Sequence, residues 1–212
     1  MNKYYLKDIV DLQTGLVLAR ASAKQADSKK SGIANGTIVE IKNQYKYVTL
    51  KSINNYGELE ESKCEIFESK EPISNRYLTK KDDILFGLFE PIKSCYILES
   101  KSIYVVPSQF VTIKIKSQFQ ESILPEYIYT VFQQKEFKNQ VLQKKEGFLL
   151  KTIKISDIGN VIISIPNLEQ QRKIVEIHKL IVEKEKLYSE LLEQQKKYDQ
   201  ILFEKLIKGS SK

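Results

Sequence analysis

The C-terminal segment constrains the fold most, because no proline or glycine occurs between Asn167 and Gly209. Asn167 is a good N-cap and Gln170 follows three residues later, so the segment begins like a capping box. At its other end Gly209 suits a C-cap, and Lys205 and Lys208 lie where the helix dipole favours cations. The pattern predicts one helix, roughly 60 Å long at ~1.5 Å per residue. Such a helix is far longer than is usual in a globular domain.

Apolar residues recur along this segment at a seven-residue spacing, interrupted by Gln195, Lys184 and Lys205. A stripe of this kind predicts packing against another helix, and its polar interruptions can set register and partner number. No other segment offers a helix of matching length, so we expect the partner to be a second chain. A helix lying across its own domain is the alternative. The predicted interface residues are Ile174, Ile177, Ile181, Tyr188, Leu191, Tyr198 and Leu202.

Residues 1–166 have the pattern of a mixed α/β domain. A helix is predicted over 124–143, with Pro125 in its first turn. The polar, small residues of 21–32 predict a loop. The run 110–116 alternates apolar and polar residues, as a strand with one buried face does. Predicted strands occupy 37–41, 45–50, 83–89, 94–100, 103–106, 110–116 and 160–165.

The composition is that of a folded, cytoplasmic protein. Hydrophobic residues make up 42% of the chain, which is enough for a packed core. No apolar stretch has the length needed to cross a bilayer, and the first residues lack the apolar core of a signal peptide. Cys64 and Cys95 form no CxxC pair, and we expect both to be buried free thiols.

The net charge of +7 is unevenly distributed. Basic residues dominate 20–51 and 114–154, whereas the intervening 58–71 holds six glutamates against Lys63 and Lys70. Such polarity can attract phosphate groups. A lysine-rich chain also produces such stretches by chance, and the glutamates of 58–71 are expected to form a solvated face.

Motifs for catalysis are absent from the sequence. It contains no GxxxxGK[ST] phosphate loop and no GxGxxG, and NNYG at 54–57 is not the Asn-Pro-Pro-aromatic motif of amino-methyltransferases. The lone His178 has no triad context and is expected at the surface or in the helix seam. Asp83, Glu99 and Lys101 mimic the spacing of metal-dependent nucleases, but Glu-Ser-Lys occurs three times here, so composition explains the match.

The ordered segments of the chain resemble a known family. IPNLEQQRKIVEIHKLI (165–181) resembles the Pro-x-Leu-x-x-Gln signature that ends a target-recognition domain in specificity subunits of type I restriction–modification systems, where a long helix follows. The other segments match that family in order. They are LKDIVDLQTGLVLA (6–19), YVTLKSIN (47–54), YLTKKDDILFGLF (77–89), VPSQFVTIKIK (106–116), LPEYIYTVFQQKEFKNQV (124–141) and GFLLKTIKISDIGNVIISIP (147–166).

This resemblance implies an α/β (α+β) target-recognition domain, 1–166, followed by one long spacer and dimerisation helix, 167–209, that pairs as a coiled coil. Full-length members of the family carry two such domains and two helices, so this chain resembles a half-length subunit. A homodimer paired through the helix would restore the two-domain arrangement and read a bipartite, palindromic site, because symmetric protein halves read symmetric half-sites. A truncated gene product or an exchangeable domain is the alternative.

The resemblance also implies partners. The chain would bind double-stranded DNA and hold methyltransferase subunits, and through them the translocating endonuclease subunit. It would have no catalytic activity and no cofactor of its own, since S-adenosylmethionine, ATP and Mg²⁺ would belong to those partners. Two other functions stay open: an interaction protein that occupies these subunits as a decoy, and a stand-alone nuclease.

Residues for DNA contact are predicted in polar loops, since lysine and arginine bind phosphate and guanine while asparagine and glutamine read adenine. The first 166 residues hold just two arginines, Arg20 and Arg76, so guanine readout by arginine is sparse. Residues 43–46 are expected to form a loop between two strands. The predicted contacts are Gln13, Thr14, Arg20, Lys24, Lys29, Lys30, Asn43, Gln44, Tyr45, Lys46, Lys144 and Lys145.

Overall fold

The structure, a computed structural model, describes residues 2–22, 43–69, 71–98, 102–142 and 152–209. These residues form the α/β domain and the long helix that the sequence predicts. The strands are β1 (Asn2–Tyr5), β2 (Val10–Thr14), β3 (Asn43–Tyr47), β4 (Glu65–Ser69), β5 (Ile84–Gly87), β6 (Ser94–Tyr96), β7 (Tyr104–Val105), β8 (Phe110–Ile115) and β9 (Ile162–Ile165). The helices are α1 (Leu6–Ile9), α2 (Leu18–Ala21), α3 (Pro125–Gln133), α4 (Lys135–Leu142), α5 (Ile155–Gly159) and α6 (Leu168–Gly209).

A four-stranded antiparallel sheet with the order β2-β8-β5-β6 lies at the centre of the domain. Phe86 and Ile113 on one face join the main apolar core under α3 and α4, whereas Leu85 and Phe110 on the other face join a second core. The prediction of a single buried face for 110–116 is therefore wrong. Thr112 is buried too, because the second core covers the face that the alternation assigned to solvent.

A smaller sheet carries the segment that we expected to be a loop. β3 pairs with β4 in antiparallel and with β7 in parallel orientation. The residues 43–46 are therefore strand and not loop, and the predicted strand 45–50 begins and ends earlier than expected. Cross-strand pairing with β4 decides this register, and no local pattern in β3 reveals it. The predicted strand 37–41 lies outside the described residues.

The helical segment 124–143 is broken where the sequence predicts one helix. Pro125 occupies the first turn as expected, but Gln134 has an extended backbone (φ −67°, ψ 135°) that separates α3 from α4. The break lets Phe132 and Phe137 pack against each other, with ring centroids 4.6 Å apart, and both against Phe86. Tertiary packing of these rings therefore overrides the local helical pattern.

The two ends of the domain meet beside the start of the long helix. β1 pairs with β9 in antiparallel orientation, with Asn2 opposite Ile165, and the amide of Leu6 donates to the carbonyl of Val161 at 2.9 Å. Helix α6 begins directly after β9. The Asn167 side chain accepts a hydrogen bond from the Gln170 amide at 2.9 Å, which confirms Asn167 as the N-cap.

Candidate nucleic-acid interface and helix surface

Gln13 and Thr14 end β2, and Arg20 lies in α2, which follows it. Gln13, half-buried near the end of β2, donates from its side-chain amide to the carbonyl of Arg76. Thr14 and Arg20 are exposed, and α2 packs through Leu18 onto the small apolar cluster that also holds Tyr77. The structure therefore places Gln13 against the turn Asn75–Tyr77, and α2 reaches the same apolar cluster through Leu18.

Arg76 in that turn is a functional candidate that the sequence reasoning did not select. Its guanidinium stacks on the Tyr77 ring, 4.4 Å from the ring centroid, and donates to the Tyr77 hydroxyl. The side chain is exposed, so its planar donors can reach a ligand while the ring restrains them. The available signal was that this domain contains few arginines and that Arg76 directly precedes a tyrosine.

The four predicted residues of β3 divide between the two faces of their sheet. Gln44 and Lys46 are exposed, whereas Tyr45 packs into the small apolar cluster and accepts a hydrogen bond from the Ile73 amide at 3.2 Å. Lys46 forms an ion pair with Glu61 at 2.7 Å, and that hydrogen bond raises the pKa of Lys46. Lys46 is thus already engaged by an acid, and Tyr45 acts as a packing residue.

The remaining predicted DNA contacts, Lys24, Lys29, Lys30, Lys144 and Lys145, lie outside the described residues. So do Glu99 and Lys101 of the nuclease-like set. Its third member, Asp83, is buried and accepts a hydrogen bond from the Lys80 amide at 2.9 Å. Burial raises the pKa of Asp83 despite an ion pair with Lys114 at 3.3 Å. The described ranges contain no group of three acidic, histidine or cysteine side chains suited to a metal ion.

The acidic segment 58–71 is engaged by neighbouring side chains. Glu60 pairs with Lys63, Glu61 with Lys46, and Glu65 accepts a hydrogen bond from the Tyr47 hydroxyl. These are exposed pairs, which contribute little to stability. The two lysines offset only part of the negative charge of this segment.

The predicted helix interface is exposed over its whole length. Along α6 the apolar side chains of the seam range from 36% exposed at Ile174 to 64% at Tyr188. The described side chains from Leu187 to Lys208 are all exposed, and they include Ile201, Phe203 and Ile207, which lie outside the seam. An apolar surface of this extent is typical of interaction sites.

The opposite face of the first half of α6 packs against the α/β domain. Gln171 is fully buried, and its side chain accepts a hydrogen bond from the Leu124 amide at 2.9 Å. Its amide group donates to the carbonyls of Ser122 and Pro166, each at 2.8 Å. Gln171 is the glutamine of the Pro-x-Leu-x-x-Gln segment, and these bonds give it a structural role: it fixes the first turn of the helix to the domain.

His178 and Lys186 continue this face of the helix. His178 is half-buried against the Tyr129 ring, at 6.1 Å between centroids, so it faces its own domain and not the seam. Burial lowers the pKa of His178, and Glu185 partly offsets that effect. Further along, Lys186 pairs with Glu58 and lies 5.5 Å from the Tyr56 ring centroid. Helix α6 therefore both touches its own domain and exposes a long apolar face.

A cleft of about 1070 Å³ separates the helix from the domain between these contacts. Val175 and Val182 line it from the helix side, Tyr129 from α3, and Leu59 and Leu98 from the domain. Cys95, near this region, is a buried free thiol as predicted, whereas Cys64 is half-buried. Burial raises the pKa of Cys95 to about 12, so this thiol is unreactive at neutral pH.

Comparison with known proteins gives matches among solved structures. No family model matches the sequence, and none of the curated proteins compared with it does. The HsdS subunit from Thermoanaerobacter tengcongensis superposes with a TM-score of 0.63 at 16% identity, over 95% of this chain and 46% of that one. A chain from a study of complex assembly and conformational transition in a type I R-M system gives a TM-score of 0.60 at 16% identity, over 96% and 45%.

The S subunit of a type I restriction-modification system from M. genitalium gives a TM-score of 0.50 at 15% identity, over 99% of this chain and 46% of that one. The chain thus spans about half the length of the solved structures that it matches. At these identities the likeness establishes the fold: this chain has the fold of one half of a specificity subunit, as the ordered sequence segments predicted. In the described ranges, no helix combines the length and apolar character required to cross a membrane.

Proposed function

We propose that this chain is a DNA sequence-specificity subunit of a type I restriction–modification system and that it works as a helix-paired homodimer. The observation that supports this best is that nearly the whole chain, domain and long helix together, superposes on half of a specificity subunit. A dimer of such halves supplies two recognition domains. Each would bind one half of a bipartite, palindromic DNA site.

The recognition domain would contact DNA through the side that carries Gln13, Thr14, Arg20 and Arg76. Arginine and glutamine side chains are those that read guanine and adenine edges in the major groove. The side that carries Glu60, Glu61 and Glu65 would face away from the phosphates, because carboxylates repel them. The five lysines outside the described residues stay predicted phosphate contacts.

The long helix would serve two partners. A seam of a second chain covers one stripe of apolar residues. Ile201, Phe203 and Ile207 lie outside that stripe and are 52%, 66% and 67% exposed, so they offer a second apolar surface on which a further protein could dock. We assign this surface to methyltransferase subunits, which would join the endonuclease subunit to the complex. The chain itself would carry no catalytic site, and S-adenosylmethionine, ATP and Mg²⁺ would bind to the partners.

The first test is the mass of the purified chain in solution by light scattering. The wild-type chain should have twice the chain mass of 24.6 kDa. A variant with Ile181→Asp and Leu191→Asp should have the mass of one chain, because two carboxylates in an apolar seam cannot be desolvated. The matched control, Ser189→Asp with Lys197→Asp, places two carboxylates outside the seam and should remain dimeric. A monomeric wild-type chain overturns the homodimer.

The second test is methylation. The chain, co-expressed with the methyltransferase subunits of its host, should direct methylation to a palindromic bipartite sequence, read by sequencing of modified bases. The dimer-breaking variant should lose that pattern. A complex that forms but methylates no site would favour the decoy, and metal-dependent cleavage by the purified chain would favour a nuclease.

A further inference from the structure

The domain side of the Lys186 contact is a rigid loop, Asn54–Leu59. The Asn54 side chain accepts hydrogen bonds from the amides of Tyr56 and Glu58, both at 2.9 Å, which closes the loop from within. From outside, the Tyr129 hydroxyl donates to the carbonyl of Gly57 at 3.1 Å. We name this loop the strut.

Gly57 makes the close approach of the strut to α3 possible. Its φ of +76° lies in the left-handed region, and a Cβ atom at this position would lie 2.1 Å from the Tyr129 hydroxyl oxygen. On its outer side the strut presents Glu58 and the Tyr56 ring to Lys186. Burial would raise the pKa of Glu58, but its bonds from Lys186 and Asn54 hold it below the usual range. Glu58 therefore stays charged toward the helix.

We propose that the contact between the strut and Lys186 fixes the angle of the long helix to the recognition domain and thereby limits which spacings between DNA half-sites the dimer accepts. The second part rests on the proposed function. Lys186 is then a positioning residue: it touches no DNA, and it acts through the direction of the helix. Gln171 holds the first turn of α6 to the domain, and Lys186 holds the helix farther along.

The cleft between the helix and the domain is the reason why Lys186 matters. Val182 is half-exposed at the cleft wall, so apolar packing leaves room for the helix to tilt between Gln171 and the strut. Three side-chain contacts described above hold α6 to the domain, those of Gln171, His178 and Lys186. The contact of Lys186 with the strut lies farthest along the helix, so among these three it opposes a tilt with the longest lever.

The length of the helix turns a small movement at Lys186 into a large one at its end. At ~1.5 Å per residue, Lys186 lies about 22 Å from Gln171 and Gly209 about 57 Å from it. A tilt about Gln171 is thus amplified about 2.5-fold at Gly209. One base-pair step rises about 3.4 Å, so a displacement of about 1.4 Å at Lys186 corresponds to a change of one base pair in the spacing.

The structural experiment measures the distance between a spin label in the recognition domain and one near the end of α6. Labels at Asp11→Cys and Glu204→Cys suit it, in a Cys64→Ser chain, because Cys95 is buried and does not react. Dilution into unlabelled chain removes distances between protomers. The Lys186→Ala variant should broaden the distance distribution, because any added movement at position 186 is amplified about 2.5-fold at the end of the helix, whereas the matched control Lys196→Ala should leave its width unchanged.

The functional experiment presents the chain and its methyltransferase subunits with a library of sites that differ in spacer length. Wild type and Lys196→Ala should methylate a narrow set of lengths, and Lys186→Ala should accept at least one further length. The charge-swapped pair Glu58→Lys with Lys186→Glu should restore the narrow set, which a loss of folding would not do.

An unchanged distance distribution in Lys186→Ala overturns the strut as a restraint. A broadened distribution with unchanged spacer selection overturns its role in specificity. If the wild-type chain directs no methylation, the proposed function fails, and with it the claim about spacing, while the distance measurement still decides whether the strut restrains the helix. Thermal unfolding of each variant checks that the domain is intact.

Discussion

Both halves of the long helix mix apolar and charged residues, but their surroundings differ. From Leu168 to Lys186, one face of the helix is held by the α/β domain, with Gln171 and Val175 buried. From Leu187 to Lys208, all described side chains are exposed, apolar ones included. The first half therefore belongs to the fold of the domain, whereas the second half exposes its apolar side chains. The difference predicts that substitutions in the two halves change different measured quantities.

The largest expected effect compares two phenylalanines. Phe132 is fully buried and Phe203 is 66% exposed. Phe132→Ala should lower the free energy of unfolding by about 3–5 kcal/mol, because it leaves a cavity in the main core. Phe203→Ala should change the free energy of unfolding of the isolated chain by less than about 0.5 kcal/mol. Under the proposed function, it should weaken the binding of methyltransferase subunits. Urea denaturation and pull-down measure the two quantities, and equal destabilisation by both variants would contradict the comparison.

The next effect compares neighbouring glutamines. Gln171→Ala removes the hydrogen-bond partner of the Leu124 amide and of the Ser122 and Pro166 carbonyls. It should lower the free energy of unfolding by about 2–3 kcal/mol, because these backbone groups lose that partner. Gln170 is exposed, and Gln170→Ala should cost less than about 0.5 kcal/mol. Both substitutions replace glutamine by alanine in the first turn of α6, so they change its helix propensity by similar amounts. Denaturant midpoints with unchanged slopes are the measurement, and similar midpoints would mean that the helix start is held by packing alone.

A smaller effect sharpens the comparison at the strut. Gly57→Ala should destabilise the domain by about 1–2 kcal/mol, since alanine is strained in the left-handed region. The new methyl group would also meet the Tyr129 hydroxyl. The same substitution in a Tyr129→Phe background should cost less, because that oxygen is gone. A double-mutant cycle by thermal unfolding detects the coupling, and strict additivity would show that the loop relaxes away from α3.

The smallest effect is a pH dependence at His178. Its folded-state pKa is below the ordinary value of 6.5, since burial disfavours the charged ring. The unfolded chain therefore binds more protons just below pH 6.5, and stability is complete above that pH and declines as pH falls toward the folded-state pKa. The melting temperature of wild type should fall more than that of His178→Gln on acidification from pH 7 to about pH 5.5. If the melting temperatures of the two proteins fall equally with pH, the His178 ring is exposed to solvent in the folded state.

What the sequence could predict depended on how local the determining interactions are. Asn167 caps the start of the long helix as predicted, because an N-cap is set by residues within one turn, and the helix ends at Gly209. The register of β3 depends on pairing with β4, some twenty residues away in the chain, and the break at Gln134 depends on Phe86 in another element. Neither is visible in a local pattern.

The candidate site was predicted less completely than the fold. Gln13 contacts the turn that holds Arg76, but Tyr45 packs into the small apolar cluster and does not lie in a loop, and Arg76 is not among the predicted contacts. Its role depends on stacking on Tyr77 and on the contact with Gln13, which come from distant parts of the chain. Gln171 belongs to the Pro-x-Leu-x-x-Gln segment. Its three hydrogen bonds explain why a glutamine is required there.

The pairing of β1 with β9 has a consequence for synthesis of the chain. Tyr5 and Ile162 are opposite each other, so the strand made first waits for its partner while the intervening residues are translated, about 8–30 s at 5–20 residues per second. Helix α6 follows β9 directly and leaves the ribosome as the domain closes. The exposed apolar face is therefore produced last among these elements, after every strand named here has been synthesised.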